Sequence, residues 1–226
     1  MPDPSTVILL GGGLAGIALR VVRQQFLALK RLVDILIALV ALVVFAPVLL
    51  VSMLLVRLTS RGPVFFTQVR VGRHGRLFDI IKLRTMRADA EAKTGPVWSK
   101  RGDPRITPIG AVLRRTHLDE APQLINVLKG DMSIVGPRPE RPVFVQQFIE
   151  DLPNYSKRLE VRPGITGLAQ IRNPADEDLR DVRRKLAFDL LYIRRMCWLV
   201  DFRIMFGTFG YLFGRTAPRR RSAAMA

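Results

Sequence analysis

The chain has 226 residues, enough for one domain of ordinary size with appendages. Apolar residues make up 49% and charged residues 24%, which excludes a disordered or low-complexity chain. Lys and Arg number 36 against 19 Asp and Glu, a net charge of +17, while one cysteine and two histidines argue against disulfide, CxxC and His-rich zinc chemistry.

A mean hydropathy of +0.18 is high for so basic a chain, so its apolar residues must be concentrated somewhere. Residues 1–29 form an apolar and basic N-terminal segment. Gly11, Gly13 and Gly16 there fit the G-x-G-x-x-G dinucleotide pattern, with Asp34 at a plausible distance. No second strand follows, so the segment reads as a Gly-rich helix or a surface-lying stretch. With no basic residue ahead of the apolar run, it does not read as a secretory signal.

From Ile35 to Val56, 22 consecutive residues carry no charge. A straight helix of that length crosses a hydrocarbon core of about 30 Å. Pro47 lies near the middle and predicts a kink, because it lacks a donor and collides with the preceding turn. Both flanks are basic: Arg20, Arg23, Lys30 and Arg31 before, Arg57, Arg61, Arg70, Arg73 and Arg76 after. Equal bias favours two cytoplasmic ends, a helix that enters, breaks at Pro47 and returns. An ordinary crossing with a tolerated proline weighs about the same on these grounds.

Beyond Arg57 the chain turns soluble in character. Val64–Val71 and Leu77–Leu83 are β-rich runs around GRHGR and predict a hairpin. Arg101–Thr107 is loop. Glu120–Lys129 has helical spacing and stops at Gly130. SIVGPRPERP reads as a stiff loop, Pro142–Leu152 as helix, and Val161–Ile171 as extended chain with two glycine turns. Leu179–Phe213 is helical, bent near Gly207 and Gly210, with Phe188, Tyr192, Trp198, Phe202, Phe206 and Phe209 among arginines. Such a face suits a membrane interface or a buried core almost equally.

Three segments are chemically loaded. In THLDEAPQL, Pro122 belongs in a first helical turn, so the helix should begin near Leu118–Asp119. The helix dipole would then favour ionised Asp119 and Glu120, as nucleophile or Mg²⁺ ligand. A plain helix cap is the commoner job for an aspartate there. In GDMSIVGPRPE, prolines flank Arg138 and fix its backbone, which suits a phosphate-binding guanidinium. In VRPGITGLAQI, Arg162 precedes Pro163 and Gly164 in the same style. Lys82 and Arg84 in IIKLRTM add a further basic element.

KRLVD, an apolar stretch with a central proline, GPVFFTQVRVG, KLRTM, THLDEAPQLINVLKGDMSIVGPRPE and VRPGITGLAQ, in this order, resemble the bacterial sugar transferases, the monotopic phosphoglycosyl transferases. The likeness runs from about Lys30 to Phe209. It implies transfer of a sugar-1-phosphate from a UDP-sugar to undecaprenyl phosphate with Mg²⁺ and release of UMP, initiating glycan or exopolysaccharide assembly. It implies that Asp119 attacks the β-phosphate to form a covalent intermediate, Glu120 supporting it and Asp119 also a candidate metal ligand. Lys82, Arg114, Arg138 and Arg162 match the family's phosphate- and nucleotide-contacting positions. It favours the re-entrant reading at Pro47, on the cytoplasmic face of a bacterial inner membrane. Ala46 stands where the family often has Ser, and Ala121 where many members have Leu. Larger members carry transmembrane helices upstream, so this chain reads as the minimal catalytic form with an apolar lead.

The expected fold is α+β: a helix-rich catalytic domain over 61–215 with a small β-hairpin, a membrane helix over 30–60, interfacial amphipathic helices and a basic tail over 216–226. The +17 charge suits an anionic membrane surface and anionic substrates. The alternative class is a non-catalytic basic protein binding a membrane surface. Nucleic acid is not an expected partner, because the charge is spread along the chain and the apolar segment would have no use. A polytopic transferase would need many spans, and this chain has one.

Overall fold

The computed structural model describes residues 4–87, 90, 103–172 and 179–212. The basic tail expected over 216–226 lies outside the described residues. The fold is helix-rich with two small sheets, as expected for an α+β chain.

Helix α1 spans Pro4–Thr59, 56 residues, and carries the Gly-rich lead and the apolar stretch as one element. Lys30, Asp34, Ala38, Leu49, Ser52 and Val56 are buried at helical spacing, so one stripe faces the rest of the protein. The opposite face leaves Leu32, Leu36, Leu39, Val43, Val44, Val48 and Leu55 exposed. Helix α1 is the one described helix long and apolar enough to cross a membrane. The helix continues through Pro47, which corrects the expected break at that residue. A proline removes a single backbone donor. Ala38 on one side of it belongs to one core cluster, and Leu49 and Val56 on the other side to another, so both halves of the helix pack on the body.

Strands β1 (Phe65–Val71) and β2 (Leu77–Leu83) pair antiparallel, Phe65 opposite Leu83 and Arg70 opposite Phe78. The turn between them needs positive φ at His74 and Gly75. Helix α2 (Pro108–Thr116) follows, then a 3₁₀ turn over Leu118–Glu120 and helix α3 (Gln123–Lys129). Asn126 ties α3 to the hairpin: its Nδ2 donates to the Asp79 carbonyl (2.8 Å) and its Oδ1 accepts from the Ile81 amide (3.0 Å). A side-chain amide thus completes the free edge of β2.

The expected stiff loop contains strand β3 (Ser133–Val135), and helix α4 (Pro142–Asp151) follows it. The stretch expected to be extended contains β4 (Gly164–Thr166), then turns into α5 (Leu168–Arg172). β3 and β4 pair in parallel. Glycine is required where they meet, since a Cβ on Gly164 would lie 2.1 Å from the Gly136 nitrogen.

The last helical region is two helices, α6 (Leu179–Arg195) and α7 (Trp198–Leu212). The break falls at Met196–Cys197, not at Gly207 or Gly210. Restarting there lets the Asp201 carboxylate accept from Lys30 Nζ (2.6 Å) and from the Tyr192 hydroxyl (2.8 Å). Gly207 serves close packing instead, with Ile171 Cδ1 3.1 Å from where its Cβ would sit. The aromatic face divides: Tyr192 is buried in the core, while Phe202, Phe206 and Phe209 are exposed.

Replacing Asn126 by Leu would leave two part-buried backbone groups of β2, the Asp79 carbonyl and the Ile81 amide, without their side-chain partner. The expected outcome is a loss of about 2 kcal/mol, read as a lower thermal midpoint of the detergent-solubilised protein.

Candidate active site

Helix α2 ends where His117 adopts a left-handed backbone, φ 56°, which reverses the chain into the Leu118–Glu120 turn. Leu118 and Ala121 pack against the cluster of Leu83, Leu113, Leu49 and Val56, so the turn is pinned from below. Asp119 is buried and Glu120 half-buried. The helical turn begins at Leu118 as expected, but in 3₁₀ form, and α3 itself starts only at Gln123.

Glu120 is the hub. Lys82 Nζ donates to its Oε1 at 2.7 Å, and Arg138 grips both oxygens, Nη2 to Oε1 at 2.6 Å and Nη1 to Oε2 at 3.2 Å. Burial alone would raise the Glu120 pKa, but Arg138 and Lys82 overwhelm that effect and hold it well below the usual carboxylate range. The Arg138 guanidinium is held charged chiefly by Glu120. Burial lowers the Lys82 pKa, and Glu120 opposes the shift.

Asp119 behaves in the opposite way. Burial pushes its carboxyl up and the Glu120 charge adds to the push, while Lys82 and Arg114 oppose it. The dipole effect expected from the sequence is outweighed here, because α3 starts late and desolvation dominates. Two adjacent carboxyls are therefore driven apart in affinity for protons, the usual sign of divided roles. Glu120 is a fixed anion bound to two cations; Asp119 is a desolvated carboxyl without that double grip.

Arg138 is held by more than its flanking prolines. The Gly164 amide donates to the Pro137 carbonyl (2.9 Å), Arg158 Nη2 to the Arg138 carbonyl (2.9 Å) and Arg70 Nη1 to the Pro139 carbonyl (3.0 Å). Behind this loop lies a buried ionic network that the sequence did not reveal. Arg158 pairs with Asp189 at 2.8 Å, and Glu140 pairs with Lys185 and with Arg70. Burial would raise the Glu140 pKa, yet Lys185 and Arg158 bring it down to about 2. No spacing rule connects Glu140 to Lys185, and only the fold brings them together.

Arg114 Nε donates to Thr85 Oγ1 (2.8 Å), and its charge acts on Asp119. Lys82, Arg114, Arg138, Asp119 and Glu120 thus converge. Arg162 does not join them. Its Nε donates to the Gly130 carbonyl at 2.9 Å, beside Arg31, which binds the Val127 and Leu128 carbonyls. That is the far end of α3, about 15 Å from Glu120 at 1.5 Å per residue. Arg162 lines a separate pocket with Arg73, Asp34 and Tyr192.

Among the described residues, no three His, Cys, Asp or Glu side chains converge as a metal cage. Both Glu120 oxygens are engaged by cations, so Asp119 is the less encumbered of the two carboxylates for a Mg²⁺. The donor set fits an ion that takes most of its ligands from phosphate oxygens and water.

The family described as bacterial sugar transferase matches residues 24–215. The chain belongs to that family. Among its relatives, an exopolysaccharide production protein of Rhizobium leguminosarum bv. phaseoli is 45% identical, over 80% of this chain and 94% of its own length. A UDP-glucose:undecaprenyl-phosphate glucose-1-phosphate transferase of Caulobacter vibrioides is 40% identical, over 79% of this chain and 67% of its own. A UDP-N-acetylgalactosamine-undecaprenyl-phosphate N-acetylgalactosaminephosphotransferase of Aeromonas hydrophila is 44% identical, over 80% of this chain but 42% of its own.

The ionic network behind this transferase's Arg138 loop makes stability depend on pH. A carboxyl depressed to about 2 on folding contributes stability that is complete above its ordinary value of 4.5 and disappears as pH falls through about 2. Glu140→Gln should therefore lose about 3 kcal/mol at neutral pH, and the gap to the parent should close between pH 4.5 and 2. Thermal unfolding across that range checks it.

Proposed function

We propose that this chain transfers a sugar-1-phosphate from a UDP-sugar to undecaprenyl phosphate, releasing UMP, and so initiates assembly of a bacterial glycan or exopolysaccharide. The supporting observation is the divided carboxyl pair: Glu120 clamped by Lys82 and Arg138, with Asp119 beside it, buried and raised in pKa. The names of the Caulobacter and Aeromonas relatives support the substrate classes.

In the first step an Asp119 oxygen attacks the β-phosphorus of the UDP-sugar. The bond from that phosphorus to the bridging oxygen breaks and UMP leaves with the electron pair. In the second step an oxygen of undecaprenyl phosphate attacks the same phosphorus, and Asp119 departs as a carboxylate. The product is a sugar linked to the lipid through a diphosphate. No proton needs to be removed from either nucleophile once Asp119 is ionised. Arg138 has a guanidinium partly open to solvent and faces the charge that develops on the phosphoryl oxygens. Glu120, itself bound by Lys82, holds it in place. A bound Mg²⁺, with Asp119 as its one protein carboxylate, would offset the charge on the departing UMP. Arg162, at the far end of α3, is left without a part in the phosphoryl transfer.

Replacing Asp119 by Asn keeps the shape and removes the attacking anion. Turnover should fall by several orders of magnitude, because a covalent route is lost rather than one hydrogen bond. Parent protein incubated with a UDP-sugar and Mg²⁺, without acceptor, should gain the mass of one phosphosugar on the peptide carrying Asp119. An unchanged mass with one-step ternary kinetics would contradict the covalent route.

For the membrane, the exposed apolar face of α1 and the exposed Leu199, Phe202, Phe206 and Phe209 of α7 support a protein lodged in the cytoplasmic leaflet of the inner membrane. α1 would bend at Pro47 within a continuous helix, returning Arg31 and Arg61 to the same side. Single cysteines at both positions should resist labelling from outside intact spheroplasts. Labelling at either one would contradict the re-entrant course. Pro47→Leu should shift part of the population to a full crossing.

A further inference from the structure

Arg84 is one of the most buried charged residues in the protein, 5% exposed, and its bonding is incomplete. Its Nη2 donates to the Ser60 carbonyl and the Ser60 hydroxyl, both at 2.8 Å. Its Nε and Nη1 are buried and have no hydrogen-bond partner. A guanidinium cannot shed its proton to escape that situation, so three N–H donors are left without an acceptor in a water-poor place. A cap on the end of α1 accounts for Nη2 alone.

The location of those donors narrows the ligand. Ser60 ends the last turn of α1, its amide bonded to the Val56 carbonyl, where the apolar stretch gives way to Arg57 and Arg61. On its other side, Arg84 extends the β2 ladder, its amide bonded to the Val64 carbonyl at 2.9 Å. It follows Lys82 by two residues, on the same face of the pleat, about 7 Å further along. Thr85, next in the chain, accepts from Arg114, whose charge acts on Asp119. Lys82, Arg84 and Arg114 therefore form a basic track from the Asp119–Glu120 turn to the foot of the membrane helix. Lys82 is occupied by Glu120, whereas Arg84 has donors to spare.

We infer that Arg84 binds the phosphate monoester head of the lipid acceptor where it leaves the membrane beside α1, and presents it to the phosphorus carried on Asp119. This rests on the two-step reading above and adds a residue that serves the second step only. A lipid phosphate monoester has three acceptor oxygens and approaches from the apolar side, which matches both the donors and their position. A soluble nucleotide has no reason to reach the membrane foot of the track.

The test uses the full chain in detergent micelles, with Arg84→Met and Arg84→Lys, the latter keeping the charge and the bond to Ser60. Thermal unfolding establishes that each variant is folded. Binding is measured with farnesyl phosphate, farnesol, phosphatidylglycerol and inorganic phosphate. The parent should bind farnesyl phosphate well above farnesol, and Arg84→Met should lose at least tenfold of that affinity and little for farnesol. Arg84→Lys, with a single nitrogen to offer, should lose affinity in the same direction. Without acceptor, the single-turnover burst of UMP from a UDP-sugar should be the same in parent and variants. A burst reduced as much as acceptor binding, in a folded variant, would overturn the inference. Equal loss of farnesol binding would do so too, as would competition by phosphatidylglycerol or inorganic phosphate matching that of farnesyl phosphate. Absence of any burst in the parent would instead contradict the covalent step, and the binding arms would still decide the role of Arg84.

Discussion

One carboxylate, Glu120, holds two cations that would otherwise repel each other. Lys82 comes from a hairpin strand and Arg138 from a proline-flanked loop, with Glu120 on a single 3₁₀ turn between them in sequence. In a half-buried setting the two positive charges are stable side by side only because the anion is there. The same ion set determines the state of Asp119, since Glu120 raises its pKa while Lys82 and Arg114 lower it. The site is therefore one electrostatic unit, in which a change at any member alters the others.

The scaffold serves to keep that unit in register. Asn126 braces β2 and thereby Lys82, while Arg158, Glu140 and Lys185 brace the loop that carries Arg138. Helix α1 is bound to this body through charged residues near the start of its apolar stretch. Lys30 and Asp34 join Asp201, Tyr192 and Ser133 in a buried polar network, and Arg31 caps the C-terminal carbonyls of α3. Residues of the KRLVD motif are here the joint between α1 and the body that carries the Asp119–Glu120 turn. The packing of Leu49 and Val56 under Leu83 and Leu113 thus fixes the position of the Asp119 turn relative to α1.

Much of the site was legible because its signals are local. The prolines around Arg138, the adjacent Asp119 and Glu120, and the alternation carrying Lys82 each sit within a few residues, and the structure unites them. Arg162 carried the same local signal as Arg138 but not the same place, since the parallel pairing of β3 with β4 sends its side chain towards Gly130. Proline predicted a break at residue 47, but the helix continues through it and packs on the body on both sides. The bend assigned to Gly207 and Gly210 fell at Met196–Cys197, because Asp201 must reach Lys30 and Tyr192. Short parallel strands, side-chain braces such as Asn126, and the unmet donors of Arg84 depend on contacts far apart in sequence. Periodicity and propensity carry no trace of them.

The claim that Glu120 binds Lys82 and Arg138 into one unit is tested most directly by a double-mutant cycle. Lys82→Met, Arg138→Met and the double variant would be compared by the single-turnover rate of UMP release, with unfolding midpoints as a check on folding. Because both cations share one carboxylate, the effects should be non-additive, with a coupling of about 1–3 kcal/mol. Effects that simply add, within about 0.5 kcal/mol, would mean that Glu120 does not join the two cations and would contradict the account.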